Sequence, residues 1–155
     1  MRGIHRLRYS SLEPEDGSRK FRQGNDETYW DRQKGAKIGR YEGRVEDQLA
    51  PYLKPQESGN KVGVRSAEIT DVNGIGFVIN GMPTVELNAL PYTAEQLEVA
   101  SHGYKLPETD HTVVRVNLAQ MGVAGDDTWG APTHSEFTLY AEQNYRYGFS
   151  LKGIK

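Results

Sequence analysis

The sequence lacks cysteine entirely. Disulfide cross-links, thiol catalysis and cysteine–zinc sites are therefore excluded, and we expect a cytoplasmic protein. Long apolar runs are also missing, because no stretch approaches the roughly 20 residues that a membrane helix needs. Met1 is followed by no apolar segment of the kind that a secretory signal requires, so neither export nor a membrane partner is expected.

An excess of charge of either sign is missing too. The 19 Lys and Arg residues and the 21 Asp and Glu residues give a formal net charge of -2. No strong field would therefore draw the chain to nucleic acid or to membrane phosphate. One domain over residues 1–155 is expected from the length, and only 36% of the residues are hydrophobic. This polar composition fits a thin sandwich, or a piece that completes its core against a partner.

Alternating apolar and polar residues predict several short strands. Residues 62–70 and 75–79 flank an Asn73-Gly74 pair, which strongly indicates a β-hairpin. A weaker strand is predicted over residues 37–45. Apolar residues also alternate with polar ones at Val114, Val116 and Leu118. The clearest alternation is at Tyr145, Tyr147, Phe149 and Leu151.

One short helix is predicted after residue 92. Thr93 can cap its N-terminus, Gln96 can complete a capping box, and Gly103 can close its C-terminus. Many short strands with a single short helix predict an all-β fold, an antiparallel β-sandwich.

The most unusual segment is the Gly- and Asp-rich loop at residues 122–132, which carries Trp129. Its indole can pack back onto the sheet, which composition alone slightly favours, or offer its flat face to a sugar ring. Asp126 and Asp127 suggest acid–base catalysis or a metal site. Neighbouring side chains usually project in different directions, however, and a calcium loop needs more oxygen ligands. We therefore expect both aspartates to stabilise the loop by hydrogen bonds.

Residues for a self-sufficient active site are not evident. The four histidines have no metal-ligand spacing, and nucleotide-binding and nucleophile-elbow motifs are absent. On the residues alone, a carbohydrate-binding module and an interaction domain without a sugar role fit equally well.

Three segments resemble the motifs of one known family, in the same order. Residues 24–32 resemble Gly-Pro-x-Glu-x-Tyr-x-Asp-Arg, residues 55–60 resemble Pro-x-Glu-x-Gly, and residues 121–130 resemble Met-Gly-x-Gly-Gly-Asp-Asp-Ser-Trp-Gly. These motifs belong to the small-chain domain of glycoside hydrolase family 2 β-galactosidases. Asn25 and Ala124 depart from the family pattern, where they replace a proline and a glycine.

The resemblance implies the second half of a galactose-mutarotase-like β-sandwich. It implies an accessory role in the hydrolysis of β-galactosides such as lactose, with both catalytic glutamates on a separate catalytic chain or domain. The Mg²⁺ and Na⁺ ions of the family would also belong there, so no cofactor, metal or catalytic residue is expected on this chain. We expect the chain to be inactive alone and to bind its catalytic partner; a homo-oligomer is a further expected assembly.

The resemblance also assigns roles to particular residues. Trp129 would reach into the active site and contact the sugar. Gly125, Asp126 and Asp127 would shape the loop around it. Residues 27–32 and 57–65 carry no catalytic role in the family, and we expect them to form structural salt links.

Overall fold

The computed structural model describes residues 6–11, 22–23, 27–121 and 130–155. The elements are β1 (Arg6–Ser11), β2 (Arg22–Gln23), β3 (Arg40–Arg44), β4 (Lys61–Thr70), β5 (Gly76–Leu90), α1 (Ala94–Val99), β6 (Val113–Asn117) and β7 (Phe149–Ile154). The strands form one sheet in the order β2-β3-β1-β4-β5-β6, and β7 also pairs with β5. Neighbouring strands are antiparallel except β2 and β3.

The predicted fold class is confirmed. The described part of the chain is a mostly antiparallel sheet with one short α-helix. The sheet stays open, which is consistent with a layer of an all-β sandwich and not with a closed barrel.

The predicted hairpin is confirmed between β4 and β5. Thr70 pairs with Gly76, and the chain turns through the residues between them. The Asp71 carboxylate accepts hydrogen bonds from the amides of Asn73 and Ile75, at 2.8 and 2.9 Å. Gly74 has a φ of 79°, which a residue with a side chain rarely adopts. The Asn-Gly signal therefore reflects real turn chemistry.

One face of the sheet carries the core. Tyr41, Tyr9, Ala67 and Ile79 lie side by side on four neighbouring strands and are all buried. The rings of Tyr9 and Tyr41 stack with their centroids 5.1 Å apart. The row therefore supplies a continuous apolar surface across the sheet.

The opposite face is charged. In the next row of paired residues, Arg8 lies between Glu42 and Glu68, and its guanidinium nitrogens are 3.0 and 3.6 Å from their carboxylates. These side chains are about one-third exposed or more, so the ion pairs contribute little to stability. They mark the solvated side of the sheet.

β5 changes partners part-way along its length. Asn80 lies opposite Ser66 and Val85 lies opposite Val64, so residues 81–84 loop out between two paired stretches. The first stretch pairs with β7 and the second with β6. The bulge thus lets one strand position two others.

The predicted helix is confirmed at its start and wrong at its end. Thr93 Oγ1 accepts a hydrogen bond from the Gln96 amide, and Gln96 Oε1 accepts one from the Thr93 amide. The helix ends at Val99 because Ala100 is already extended. Gly103 therefore does not close the helix; it begins a separate 3-10 turn.

The predicted C-terminal strand begins later than its pattern indicated. β7 starts at Phe149, and Tyr145 and Tyr147 precede it. Their hydroxyls donate to the carbonyls of Tyr140 and Val116, at 2.8 and 3.0 Å. The alternation of these tyrosines therefore does not mark a strand. Their hydroxyls instead bind backbone carbonyls of two other segments.

The outer strand β7 predicts association of the chain. Leu151 pairs with the core residue Ile79 yet is 63% exposed, and Phe149 is 41% exposed. Among the described strands, β7 pairs with β5 alone. Exposed apolar side chains on an open strand edge favour contact with another polypeptide.

We expect size-exclusion chromatography with light scattering to show concentration-dependent association of the purified chain. Leu151→Ser should weaken that association, whereas Lys152→Ser, which changes the opposite face of the same strand, should not. A strictly monomeric, highly stable chain at high concentration would contradict this expectation.

Candidate functional site

The predicted sugar-contact loop lies outside the described residues. Trp129, Gly125, Asp126 and Asp127 all fall within the segment 122–129. Their roles therefore stay predictions. The structure does describe the residues that lead into this segment, and these define the candidate site.

Gln120 lies two residues before this segment and accepts two hydrogen bonds. Its backbone carbonyl accepts one from the Trp30 amide at 3.4 Å. Its side-chain oxygen accepts one from Asn117 Nδ2 at 3.4 Å. The first motif therefore contacts the chain just before the loop.

Glu86 and Asn60 form the buried centre of this region. Each is 1% exposed, and Asn60 Nδ2 donates to Glu86 Oε2 at 2.8 Å. Asn60 Nδ2 also donates to the Thr28 carbonyl at 3.0 Å, and the Thr28 amide donates to the Asn60 carbonyl at 2.7 Å. The first two motifs are thus joined side by side.

Burial changes the acid–base properties of Glu86. Desolvation raises its pKa from 4.5 to about 7, and the hydrogen bonds from Asn60 and the Gln120 amide offset part of that rise. Glu86 Oε1 and Asn60 Oδ1 have no hydrogen-bond partner within the described residues. The pKa of Tyr29 is also raised. Burial is the largest cause, and the nearby carboxylates of Glu27, Glu57 and Glu86 add to it.

Glu27 connects the first motif to the second. Its Oε2 accepts a hydrogen bond from the Gly59 amide at 2.8 Å, and its Oε1 accepts one from the Tyr52 hydroxyl. This hydrogen bond is also the main cause that raises the pKa of Tyr52. Glu27 therefore acts through hydrogen bonds. An ion pair in this segment joins Asp31 and Arg32, at 3.2 Å.

Glu57 connects the second motif to strand β6. Its carboxylate lies 2.7 Å from Arg115 Nε, and Arg115 Nη1 donates to Asn88 Oδ1 at 3.0 Å. Asn88 Nδ2 in turn donates to the Ser58 carbonyl. The expected structural salt link of this segment therefore exists, with Arg115 as the partner of Glu57.

We call this network the polar cluster; its members are Glu27, Thr28, Glu57, Ser58, Asn60, Glu86, Asn88 and Arg115. Glu86, Asn88 and Arg115 were not predicted from the sequence. The available signal was the placement of Glu86 and Asn88 at alternate positions in residues 85–90 of β5, a run that is otherwise apolar. A buried strand with two such polar residues must satisfy them internally.

Comparison with known protein families supports the resemblance seen in the three motifs. A family model described as the β-galactosidase small chain matches residues 21–151. This chain belongs to the β-galactosidase small-chain family. The polar cluster joins the first two family motifs to the strand that leads into the third.

The chain is similar to several bacterial β-galactosidases. It is 54% identical to the enzyme of Priestia megaterium over 134 residues, which cover 86% of the chain and 13% of that protein. It is 46% identical to the enzyme of Halalkalibacterium halodurans over 132 residues (84% and 13%), and 30% identical to that of Vibrio cholerae over 132 residues (85% and 12%). The chain thus spans about an eighth of the length of the relatives that it matches.

Two further properties concern the described residues only. Within them, no group of three or more His, Cys, Asp or Glu side chains is arranged to hold a metal ion. Their helices are all too short or too polar to cross a membrane.

The glycine of the second motif should be sensitive to substitution. Gly59 has a φ of 72°, and an added Cβ would overlap the Gln48 carbonyl oxygen. Gly63 has a similar φ of 68°, but an added Cβ would meet nothing within 4 Å. Gly63→Ala should therefore cost only the backbone strain, about 1–2 kcal/mol, and Gly59→Ala about 1–3 kcal/mol more. Urea denaturation measures both costs, and equal values would refute the steric explanation.

The raised pKa of Glu86 predicts a pH-dependent effect of Glu86→Gln. A carboxyl whose pKa rises from 4.5 to about 7 binds more protons in the folded state, so its favourable contribution is lost as the pH rises through that range. A neutral amide escapes this loss, which amounts to about 3 kcal/mol. The free energy of unfolding of Glu86→Gln, relative to the unmodified chain, should therefore increase by up to about 3 kcal/mol between about pH 4 and about pH 8.

Urea denaturation at both pH values measures this change. Glu98→Gln is the control, because the Glu98 side chain is 78% exposed and its ion pair with Lys54 lies at the surface. The free energy of unfolding of Glu86→Gln, relative to the unmodified chain, could instead be the same at both pH values. That result would count against the burial of an ionisable carboxyl.

Proposed function

We propose that this chain is an accessory domain of a β-galactosidase that hydrolyses terminal β-D-galactosides such as lactose. It contributes part of the active-site wall and a carbohydrate contact through Trp129. The catalytic glutamates lie on a barrel domain or a large subunit. The observation that carries this proposal is the match of the β-galactosidase small-chain family model to residues 21–151. The contact from the Trp30 amide of the first family motif to the Gln120 carbonyl, shortly before the loop that bears Trp129, supports it.

The proposed contact follows from the chemistry of the loop residues. One face of a galactose ring presents C–H bonds, and a flat indole is a suitable apolar partner for it. Gly125, Asp126 and Asp127 give the loop its turns and local hydrogen bonds. The hydrogen bonds that Gln120 accepts from the Trp30 amide and Asn117 Nδ2 support this role, because a carbohydrate platform must be held at a fixed distance from the reacting bond.

The carboxylates of the polar cluster support the assignment of catalysis to another domain. A retaining glycosidase needs two carboxyl groups about 5–5.5 Å apart across the scissile bond. Glu86 is 1% exposed, Glu57 is paired with Arg115, and Glu27 accepts hydrogen bonds from Gly59 and Tyr52. All three serve the fold and are poorly placed to attack or protonate a substrate.

The same proposal covers partners and location. The catalytic chain or domain is the main partner, and the exposed apolar side of β7 supports an association of this kind. Mg²⁺ and Na⁺ would bind the catalytic partner. The absence of cysteine fits a reducing compartment, so we place the assembled enzyme in the cytoplasm.

A free-standing carbohydrate-binding module is the second candidate function. The sheet face could present a sugar-binding loop without any catalytic partner. The exposure of Leu151 and Phe149 favours the accessory domain, because a self-contained module would cover such residues itself.

The Trp129→Ala substitution tests the proposed role. In the assembled enzyme it should lower kcat/KM about 2- to 12-fold, which corresponds to the roughly 0.5–1.5 kcal/mol of an aromatic contact beyond burial. In the isolated chain it should change the melting temperature far less than loss of a core tryptophan, which costs about 3–5 kcal/mol. Trp129→Phe should retain part of the activity.

Two controls accompany this measurement. Tyr104→Ala removes an aromatic side chain that is 81% exposed elsewhere and should leave kcat/KM unchanged. The chain without its catalytic partner should not hydrolyse a chromogenic β-galactoside. A large loss of melting temperature with unchanged kinetics would make Trp129 a packing residue and would overturn the proposal.

A further inference from the structure

A cavity of about 460 Å³ lies beside the first motif. Its described walls are the end of β1, Thr28, residues 33–34 and 36–38, and residues 62–63 near the start of β4. Thr28 is the one member of the polar cluster among these described lining residues. Sites for small molecules usually have volumes of about 300–1,000 Å³, so the cavity is large enough for a ligand of modest size.

The cavity carries positive charge. Lys34 and Lys37 both line it, and none of its described lining residues is acidic. Both lysines are exposed, and within the described part of the chain neither forms an ion pair. Two like charges at the wall of a cleft add to one local potential, which attracts an anion. The chain as a whole has a net charge of -2, so this potential is a local feature.

Hydrogen bonds fix the backbone from which both lysines project. The Lys37 carbonyl accepts a hydrogen bond from the hydroxyl of the buried Tyr41 at 2.5 Å. The Ala36 amide donates to the Gln33 carbonyl at 3.2 Å and so closes the 3-10 turn that carries Lys34. A site whose backbone is already ordered loses less entropy when a ligand binds.

The other walls offer a neutral donor and apolar surface. Thr28 is 8% exposed, and its Oγ1 accepts a hydrogen bond from the Val62 amide at 3.0 Å. Its hydroxyl hydrogen can therefore donate to a ligand. Ile38 and Val62 present aliphatic side chains to the same space. This combination suits an anionic group attached to a small and less polar body.

We propose that this cavity binds the carboxylate or phosphate group of a small molecule, with Lys34 and Lys37 as the cationic contacts. A lysine ammonium is a compact charge with three donors, which suits the oxygens of both groups. The Thr28 hydroxyl adds a donor from the buried side. The site involves neither Trp129 nor the proposed sugar contact, so it holds or fails independently of the function proposed above.

A phosphate titration of the purified chain tests the site. Inorganic phosphate is added at an ionic strength kept constant with sodium chloride, and NMR follows the backbone amides of residues 33–38 and 62–63. These signals should shift and saturate together. Lys34→Gln and Lys37→Gln should each weaken binding about two- to fivefold, and the double variant by about the product of both effects. Lys152→Gln, the control, removes the same charge from β7 and should leave binding unchanged.

Gly63 provides a second and independent pair of variants. An added Cβ there would meet nothing within 4 Å, and Asn and Asp tolerate its positive φ of 68° better than other residues with a side chain. Gly63→Asp adds a carboxylate at the wall that the two lysines share and should abolish phosphate binding. The uncharged Gly63→Asn has nearly the same size and should retain it. Any backbone strain affects both variants alike.

Two results on the purified chain would overturn the proposal. Shifts that do not saturate, or equal weakening by Lys34→Gln, Lys37→Gln and Lys152→Gln, would show only nonspecific attraction to surface lysines. Equal phosphate binding by Gly63→Asp and Gly63→Asn would show that the ligand does not enter the cavity.

The assembled enzyme distinguishes a free anion from a carboxylate of the catalytic partner, which offers the same chemistry. Phosphate should bind the assembled enzyme about as well as the purified chain. Loss of phosphate binding on assembly, together with weaker assembly of the double lysine variant, would assign the cavity to the partner and would refute a small-molecule ligand. If no catalytic partner assembles with the chain, the proposed function fails, while the titration of the purified chain still decides whether the anion site exists.

Discussion

Burial of the Glu86 carboxyl group is the constraint on which the candidate site depends. A carboxyl group at 1% exposure loses its hydration and must be compensated by hydrogen bonds from the protein. Asn60 Nδ2 provides a hydrogen bond to this carboxyl group at 2.8 Å, and the same amide group also donates to the Thr28 carbonyl. The need to satisfy one group on β5 therefore brings the first and second motifs to the same point.

The carboxylates of the family motifs serve the architecture around this point. Glu27 binds the Gly59 amide, and Glu57 pairs with Arg115 on β6. In both cases an acidic residue of one segment holds the backbone or a side chain of another. A motif rich in carboxylates can thus identify a glycosidase family while its acidic residues hold separate segments together.

Local chemistry explains what could be predicted from the sequence. The hairpin at Asn73-Gly74 and the capping box of Thr93 and Gln96 each depend on a few neighbouring residues, and both appear as expected. The start of β7 could not be predicted, because the hydroxyl of Tyr147 bonds to Val116, a residue far away in the sequence. Glu86 was missed for the same reason, since its partners are distant, and the role of Trp129 stays a prediction from the family motif.

The looped-out residues 81–84 of β5 form a joint between two paired parts of the strand. At this joint the sheet can tolerate the insertion or deletion of residues. Gly81 approaches the backbone of Thr84 so closely that a Cβ would lie 2.7 Å from it. The ladder with β7 ends at Gly81, the first residue of this joint, and the ladder with β6 begins after the joint, at Glu86. Residues added or removed at its exposed tip would shift neither register, and every core side chain would still face the core. The outer edge of the sheet can therefore change to suit a new neighbour while the end that carries the polar cluster keeps its geometry.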